Sequence, residues 1–130
     1  METRKYKKGS VIINEGTSGD EFYIIKSGKV NVFKLLNGER FNLSTLKENE
    51  CFGEMNFFLN KKRTASVEAL EETEVFVLNE SLFEVLIKTK PAYALFMIKK
   101  LVKHLNECHE KINELLGEKK SMEIIYGQKS

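Results

Sequence analysis

The chain has 130 residues, 42% of them hydrophobic and 31% charged, with a formal net charge of +2. That length builds one domain around one core and is too short for two. So small a net charge gives no electrostatic case for nucleic acid. The charged amino terminus and the apolar runs broken by Lys or Glu carry no pattern of a signal peptide or a membrane span.

In chain order, the first two thirds reads as β structure. Val11-Ile12-Ile13 is a short β-branched run that ends at Asn14-Glu15-Gly16. Residues 21–26 (EFYIIK) and 29–35 (KVNVFKL) are strand-like, and Ser27-Gly28 between them reads as a tight hairpin turn. Asn37-Gly38 is the strongest hairpin signal in the chain, because both central positions of such a turn need positive φ. The strand after it, 40–46, leads to Asn49-Glu50. Residues 65–70 and 74–78 read as two further strands. Many short strands with glycine-marked turns indicate a sandwich or barrel.

The last third changes period. Asn79 or Ser81 offers an N-cap for a short helix over 82–87, and Pro91 stands where a first-turn proline opens another. From there the chain reads as helical to about Gly117. Ile98, Leu105 and Ile112 recur every seven residues, with Leu101, Cys108 and Leu115 three residues after each. That heptad, with β-branched residues at two of three a positions, favours a parallel homodimer. The domain is expected to span 1–117, with a β-roll over about 9–78, helices over about 80–117 and a tail over 118–130.

Residues 51–69 (CFGEMNFFLNKKRTASVEA) carry the chemistry. Gly53 lets the backbone approach a ligand closely, and an acid, Glu54, stands beside it. Residues 55–59 can form one helical turn. Arg63 follows with the Thr64 hydroxyl next to it, and a planar guanidinium can donate two parallel charge-assisted hydrogen bonds to a phosphate. The two histidines, His104 and His109, both fall in the helical third. No metal-ligand set and no Ser-His-Asp or Cys-His arrangement follows from that placement, so neither an enzyme nor a metal or other cofactor is expected. Cys51 and Cys108 are far apart and lack metal-ligand spacing, which fits a reducing, cytoplasmic compartment.

Two separated blocks resemble the cyclic-nucleotide-binding domain family, to which catabolite activator protein, protein kinase A regulatory subunits and cyclic-nucleotide-gated channels belong. The first is Gly9-Ser10-Val11-Ile12 with EGTSGDEFYIIKSGKV (15–30); the second is FGEMNFFLNKKRTASV (52–67). The resemblance implies a mainly β fold with α, a jelly-roll-like β-roll (a double-stranded β-helix) carrying a short cassette helix and a long C-terminal helix. It implies a regulatory sensor of cAMP or cGMP. Glu54 then matches the acid that accepts from the ribose 2′-hydroxyl, and Arg63 the arginine that pairs with the cyclic phosphate. Gly53, Met55, Thr64 and Ala65 match backbone-amide positions, and Asp20 an acid that orients the arginine. Met55, Phe57, Phe58 and Leu59 would anchor the cassette to the roll.

This chain departs from the family pattern at three places. Asn56 replaces a small residue, either adding a polar contact or facing solvent. Lys62 stands where many members have proline, and Thr64 leaves cGMP open beside cAMP. The third departure is at Cys108 and His109, which fall near the positions from which the long helix contacts the base in the bacterial regulators, where hydroxyl residues are expected for cAMP. Nothing past Gly117 reads as a recognition helix, so a domain without direct DNA binding or membrane contact is expected, acting on an unknown effector protein. The alternative is a degenerate member serving as a dimerisation scaffold or sensing another small molecule.

Overall fold

A computed structural model describes the backbone of residues 2–125 and the side chains through Gly117. The chain divides into two compact units, 1–90 and 91–130. The first holds eight strands: β1 (Thr3–Tyr6), β2 (Val11–Ile13), β3 (Phe22–Ser27), β4 (Lys29–Leu36), β5 (Glu39–Lys47), β6 (Cys51–Phe52), β7 (Ser66–Ala69) and β8 (Thr73–Leu78). It also holds α1 (Glu54–Leu59) and α2 (Glu80–Thr89). The strands form two four-stranded sheets, ordered β1-β8-β3-β6 and β2-β7-β4-β5, and every pairing is antiparallel.

The core lies between the sheets. Tyr23, Ile25, Phe52, Val75 and Val77 come from one, and Ile13, Val30 and Val67 from the other. Ile25, Val30 and Val75 have no exposed surface, and burying each such side chain contributes about 1.5–3 kcal/mol. This is the β-roll the sequence implies, with one strand more at its start. The TRKY segment of β1 pairs along β8 from Thr3↔Phe76 to Tyr6↔Thr73.

The Asn37-Gly38 hairpin forms as expected: Leu36 pairs with Glu39, and the two turn residues take φ 53° and 79°. The Ser27-Gly28 hairpin does not form. β3 pairs with β6 and β8 while β4 pairs with β5 and β7, so these consecutive strands belong to different sheets. Gly28, at φ 101°, turns the corner between them. A Cβ at this position would stand 2.7 Å from the Glu72 carbonyl oxygen. The buried Thr73 hydroxyl pins the same corner, its one proton shared between the carbonyls of Lys29 at 3.1 Å and Glu71 at 2.9 Å.

Asn79 caps α2, its side-chain oxygen accepting from Leu82 N at 2.9 Å. The helix is longer than the 82–87 read from sequence. It ends at Lys90, whose φ/ψ of −137°/67° leaves the helical region, as the residue before a proline tends to. In the second unit Pro91 opens α3 (Pro91–Ile125). This helix does not stop near Gly117 but continues eight residues further; residues 126–130 of the expected tail lie outside the described residues. Ile98, Leu105, Ile112 and Leu115 are each more than half exposed, Cys108 is exposed and Leu101 is half-buried.

Candidate functional site

The segment from β6 to β7 leaves one sheet and enters the other. Between them it forms α1 and an irregular return through residues 60–65. Gly53 opens α1 from the left-handed region, at φ 80° and ψ 2°. Asn60 closes it in the same region, at φ 52°. The short polar side chain of Asn tolerates that conformation better than most residues.

Arg63 is the centre of the arrangement. Its main chain is clamped to the glycine turn that follows β2: Arg63 N donates to the Thr17 carbonyl and Gly16 N to the Arg63 carbonyl, both at 2.8 Å. The side chain is only 7% exposed. Nη1 donates to the Gly53 carbonyl at 3.2 Å and Nη2 to the Glu21 carbonyl at 2.9 Å. A guanidinium carries five N–H donors, so these two bonds orient it without exhausting it. A buried cation with donors to spare favours an anion that can accept them.

Two glycines make room for this side chain. A Cβ at Gly53 would lie 2.7 Å from Nη1, and one at Gly19 would lie 2.6 Å from Nη2. Gly53→Ala is therefore expected to lower stability by about 1–2 kcal/mol through its left-handed backbone alone, and to displace the guanidinium as well. Thermal unfolding combined with ligand titration checks both effects.

The other residues singled out in the sequence are placed as follows. Glu54 is half-buried at the start of α1 and Met55 is 53% exposed. Asn56 does not face solvent: it is 7% exposed, and its Oδ1 accepts no hydrogen bond among the described residues. Thr64 is exposed and Ala65 half-buried. Asp20 is exposed and makes no hydrogen bond or ion pair with Arg63. The orienting group is instead the main-chain carbonyl of its neighbour Glu21. Cys108 and His109 are exposed on α3, in the second unit.

Of the four apolar cassette residues, Met55, Phe58 and Leu59 are all about half exposed, and it is through ring contacts that Phe57 and Phe58 anchor α1. Phe22 of β3, Phe57 and Phe58 of α1 and Phe83 of α2 form a cluster in which every ring meets the other three. Their centroids are 4.8–5.9 Å apart. Burial first and the charge of Glu54 second push the Cys51 thiol up to about 12, which keeps it neutral and a poor nucleophile. Burial and then the Glu21 charge raise the Tyr23 phenol.

Glu21 escaped the sequence reading. Its carbonyl holds Arg63, and its carboxylate accepts from both terminal nitrogens of Arg4, at 3.2 and 3.1 Å, and from the Tyr23 hydroxyl at 3.3 Å. A role exercised through a main-chain carbonyl leaves no residue signature. The acidic side chain next to the glycine turn was the only available signal.

Fold and site together define an antiparallel β-roll that buries an arginine between two main-chain carbonyls. The family model described as "Cyclic nucleotide-binding domain" matches residues 3–90, and the chain belongs to that family. It is 31% identical over 127 residues to the cyclic AMP receptor protein of Thermus thermophilus, an alignment covering 97% of this chain and 59% of that one. It is 39% identical over 84 residues to the cGMP-dependent protein kinase of Plasmodium berghei, covering 64% of this chain and 9% of that one. The crystal structure of the Thermus thermophilus catabolite activator protein superposes with a TM-score of 0.76 at 32% identity, over 88% of this chain and 54% of that one. The chain thus spans about three fifths of the bacterial relative and a small part of the kinase. Among the described residues no helix is long and apolar enough to cross a membrane, and no three His, Cys, Asp or Glu side chains are grouped to hold a metal ion.

Proposed function

We propose that this domain is a regulatory sensor that binds a cyclic mononucleotide, cAMP or cGMP, as a ligand rather than as a cofactor. The observation that carries the reading is Arg63, buried between the carbonyls of Gly53 and Glu21 with donors uncommitted. The cyclic phosphate accepts from that guanidinium and from main-chain amides at Gly53, Met55, Thr64 and Ala65. Glu54 accepts from the ribose 2′-hydroxyl. Asn56, whose buried oxygen lacks a donor, supplies a further polar contact. The role is binding and signalling rather than catalysis, in the cytoplasm, where the free thiols of Cys51 and Cys108 persist.

Binding becomes a signal through the aromatic cluster. A phosphate that draws the cassette inward moves α1, and Phe57 and Phe58 are packed on Phe83 of α2. The ligand shifts α2 by no more than its differential affinity for the two arrangements. Calorimetric titration of cAMP and of cGMP into refolded protein, stripped of carried nucleotide, tests the reading and ranks the bases. Saturable binding of either supports it. Native protein that binds neither is a dimerisation scaffold or a sensor of another small molecule.

The exposed stripe on α3 supports a homodimer through that helix. Ile98, Leu105 and Ile112 recur every seven residues and are each more than half exposed, with Leu101, Cys108 and Leu115 three residues after each. Sedimentation is expected to show a dimer for the wild type and a monomer for Leu105→Lys, which places a charge in the middle of the seam. Wild-type protein that sediments as a monomer removes the reading.

A further inference from the structure

We propose that Glu21 is the positioning residue for Arg63 and that Arg4 of β1 holds it in place, so that the amino-terminal strand sets the affinity of the nucleotide site. The inference rests on the reading of Arg63 as the phosphate ligand. Glu21 is the last residue before β3, at the end of a turn whose residues 16–20 are all exposed. Its carbonyl is one of the two that fix the guanidinium, in a peptide whose other residue, Phe22, opens β3 opposite Leu78. The side chain supplies a second restraint, on the turn side of that peptide.

β1 and β3 flank β8, with Arg4 and Ile25 both opposite Val75. From there Arg4 reaches across β8 to grip both carboxylate oxygens of Glu21, while the Tyr23 hydroxyl donates to one of them. A two-pronged Arg–carboxylate fork fixes orientation as well as distance. Glu2 accepts from Arg4 Nε at 2.7 Å and steadies the fork from the strand's start. A side chain on the first strand is thereby linked through one residue to the arginine of the site.

The test titrates cAMP and cGMP into the full chain and into Glu21→Gln, Arg4→Gln, the double variant and the charge-exchanged pair Arg4→Glu/Glu21→Arg. Lys26→Gln, which breaks the Lys26–Glu74 ion pair on the same sheet, is the control. Glu21→Gln and Arg4→Gln are each expected to weaken binding about fivefold. The double variant should be no worse than either, the exchanged pair should recover most of the loss, and Lys26→Gln should match the wild type. In an Arg63→Lys background, Glu21→Gln should add nothing, because there is no fork left to orient. A purely structural role would weaken that background equally and overturns the proposal, as does wild-type affinity in both single variants. The Arg63 Nε–H resonance of the nucleotide-free protein gives a second reading, expected to shift in Glu21→Gln and Arg4→Gln but not in Lys26→Gln. If the wild type binds neither nucleotide while that resonance shifts, the phosphate assignment fails and the positioning stands. If the resonance stays fixed in both variants, the positioning itself fails.

Discussion

Arg63→Ala is expected to weaken cyclic-nucleotide binding by about 1.5–3 kcal/mol, roughly 10- to 150-fold in dissociation constant. The residue is buried, its main chain is clamped to the glycine turn, and two carbonyls aim its guanidinium. The site therefore holds its cation before any ligand arrives, and little ordering cost falls on binding. Alanine removes the cation and leaves the carbonyls of Gly53 and Glu21 facing the vacated volume. Arg63→Lys should fall between the two. An ammonium keeps the charge but cannot hold both carbonyls and a phosphate in one plane. Titration calorimetry on refolded protein measures all three, and an alanine variant that binds as tightly as the wild type would put the ligand elsewhere.

Phe22→Ala should cost about 3–5 kcal/mol of folding stability, a large share of what a domain of this size has. Phe22 has no exposed surface, and its ring meets Phe57, Phe58 and Phe83 at 4.8–5.8 Å. Its loss removes the common support of β3, α1 and α2 in one step. Phe83 lies at the edge of the same cluster and is half-buried, so Phe83→Ala should cost less while cutting α2 off from the cassette. Urea unfolding followed by circular dichroism separates the two variants. Equal small losses would mean that α1 is held by its backbone alone.

The sheet was legible wherever local chemistry has one solution. Asn37-Gly38 specifies a two-residue hairpin because few residues accept positive φ at both positions, and the structure has that hairpin. Ser27-Gly28 was ambiguous in a physical sense. A hairpin turn and a corner between two sheets both require a glycine, and the choice is made by Thr73 and Glu72, more than forty residues away. β1 was missed because TRKY has no apolar alternation. It is a strand because β8 offers it a partner, not because of propensity.

The site divides in the same way. Gly53 and Arg63 were readable as residue types suited to close approach and to phosphate, and the fold brings them within 3.2 Å. Asp20 is the acid that the family resemblance implies beside the arginine, whereas the contact in the structure comes from the Glu21 carbonyl, and a main-chain role leaves no mark on residue type. Asn56 could not be placed from sequence, since both faces of one helical turn were open to it. The run of α3 past Gly117 reflects a similar limit. A glycine inside a long helix costs only about 1 kcal/mol, too little to end it.

The strand order also governs how this domain comes into being. β1 and β3 are both completed by β8, and β2 by β7, so closing either sheet joins distant parts of the chain. Among the described residues only β4 and β5 pair across a short turn. That hairpin can form on a timescale of about 1–10 μs, whereas the remaining pairings wait on slow, non-local loop closure. During synthesis Arg63 precedes Leu78, the residue that completes β8, so the arginine leaves the ribosome before the sheet that will enclose it exists. A nascent chain halted after Ala69 and before Thr73, where β8 begins, should carry every cassette residue and still be unable to recognise a nucleotide.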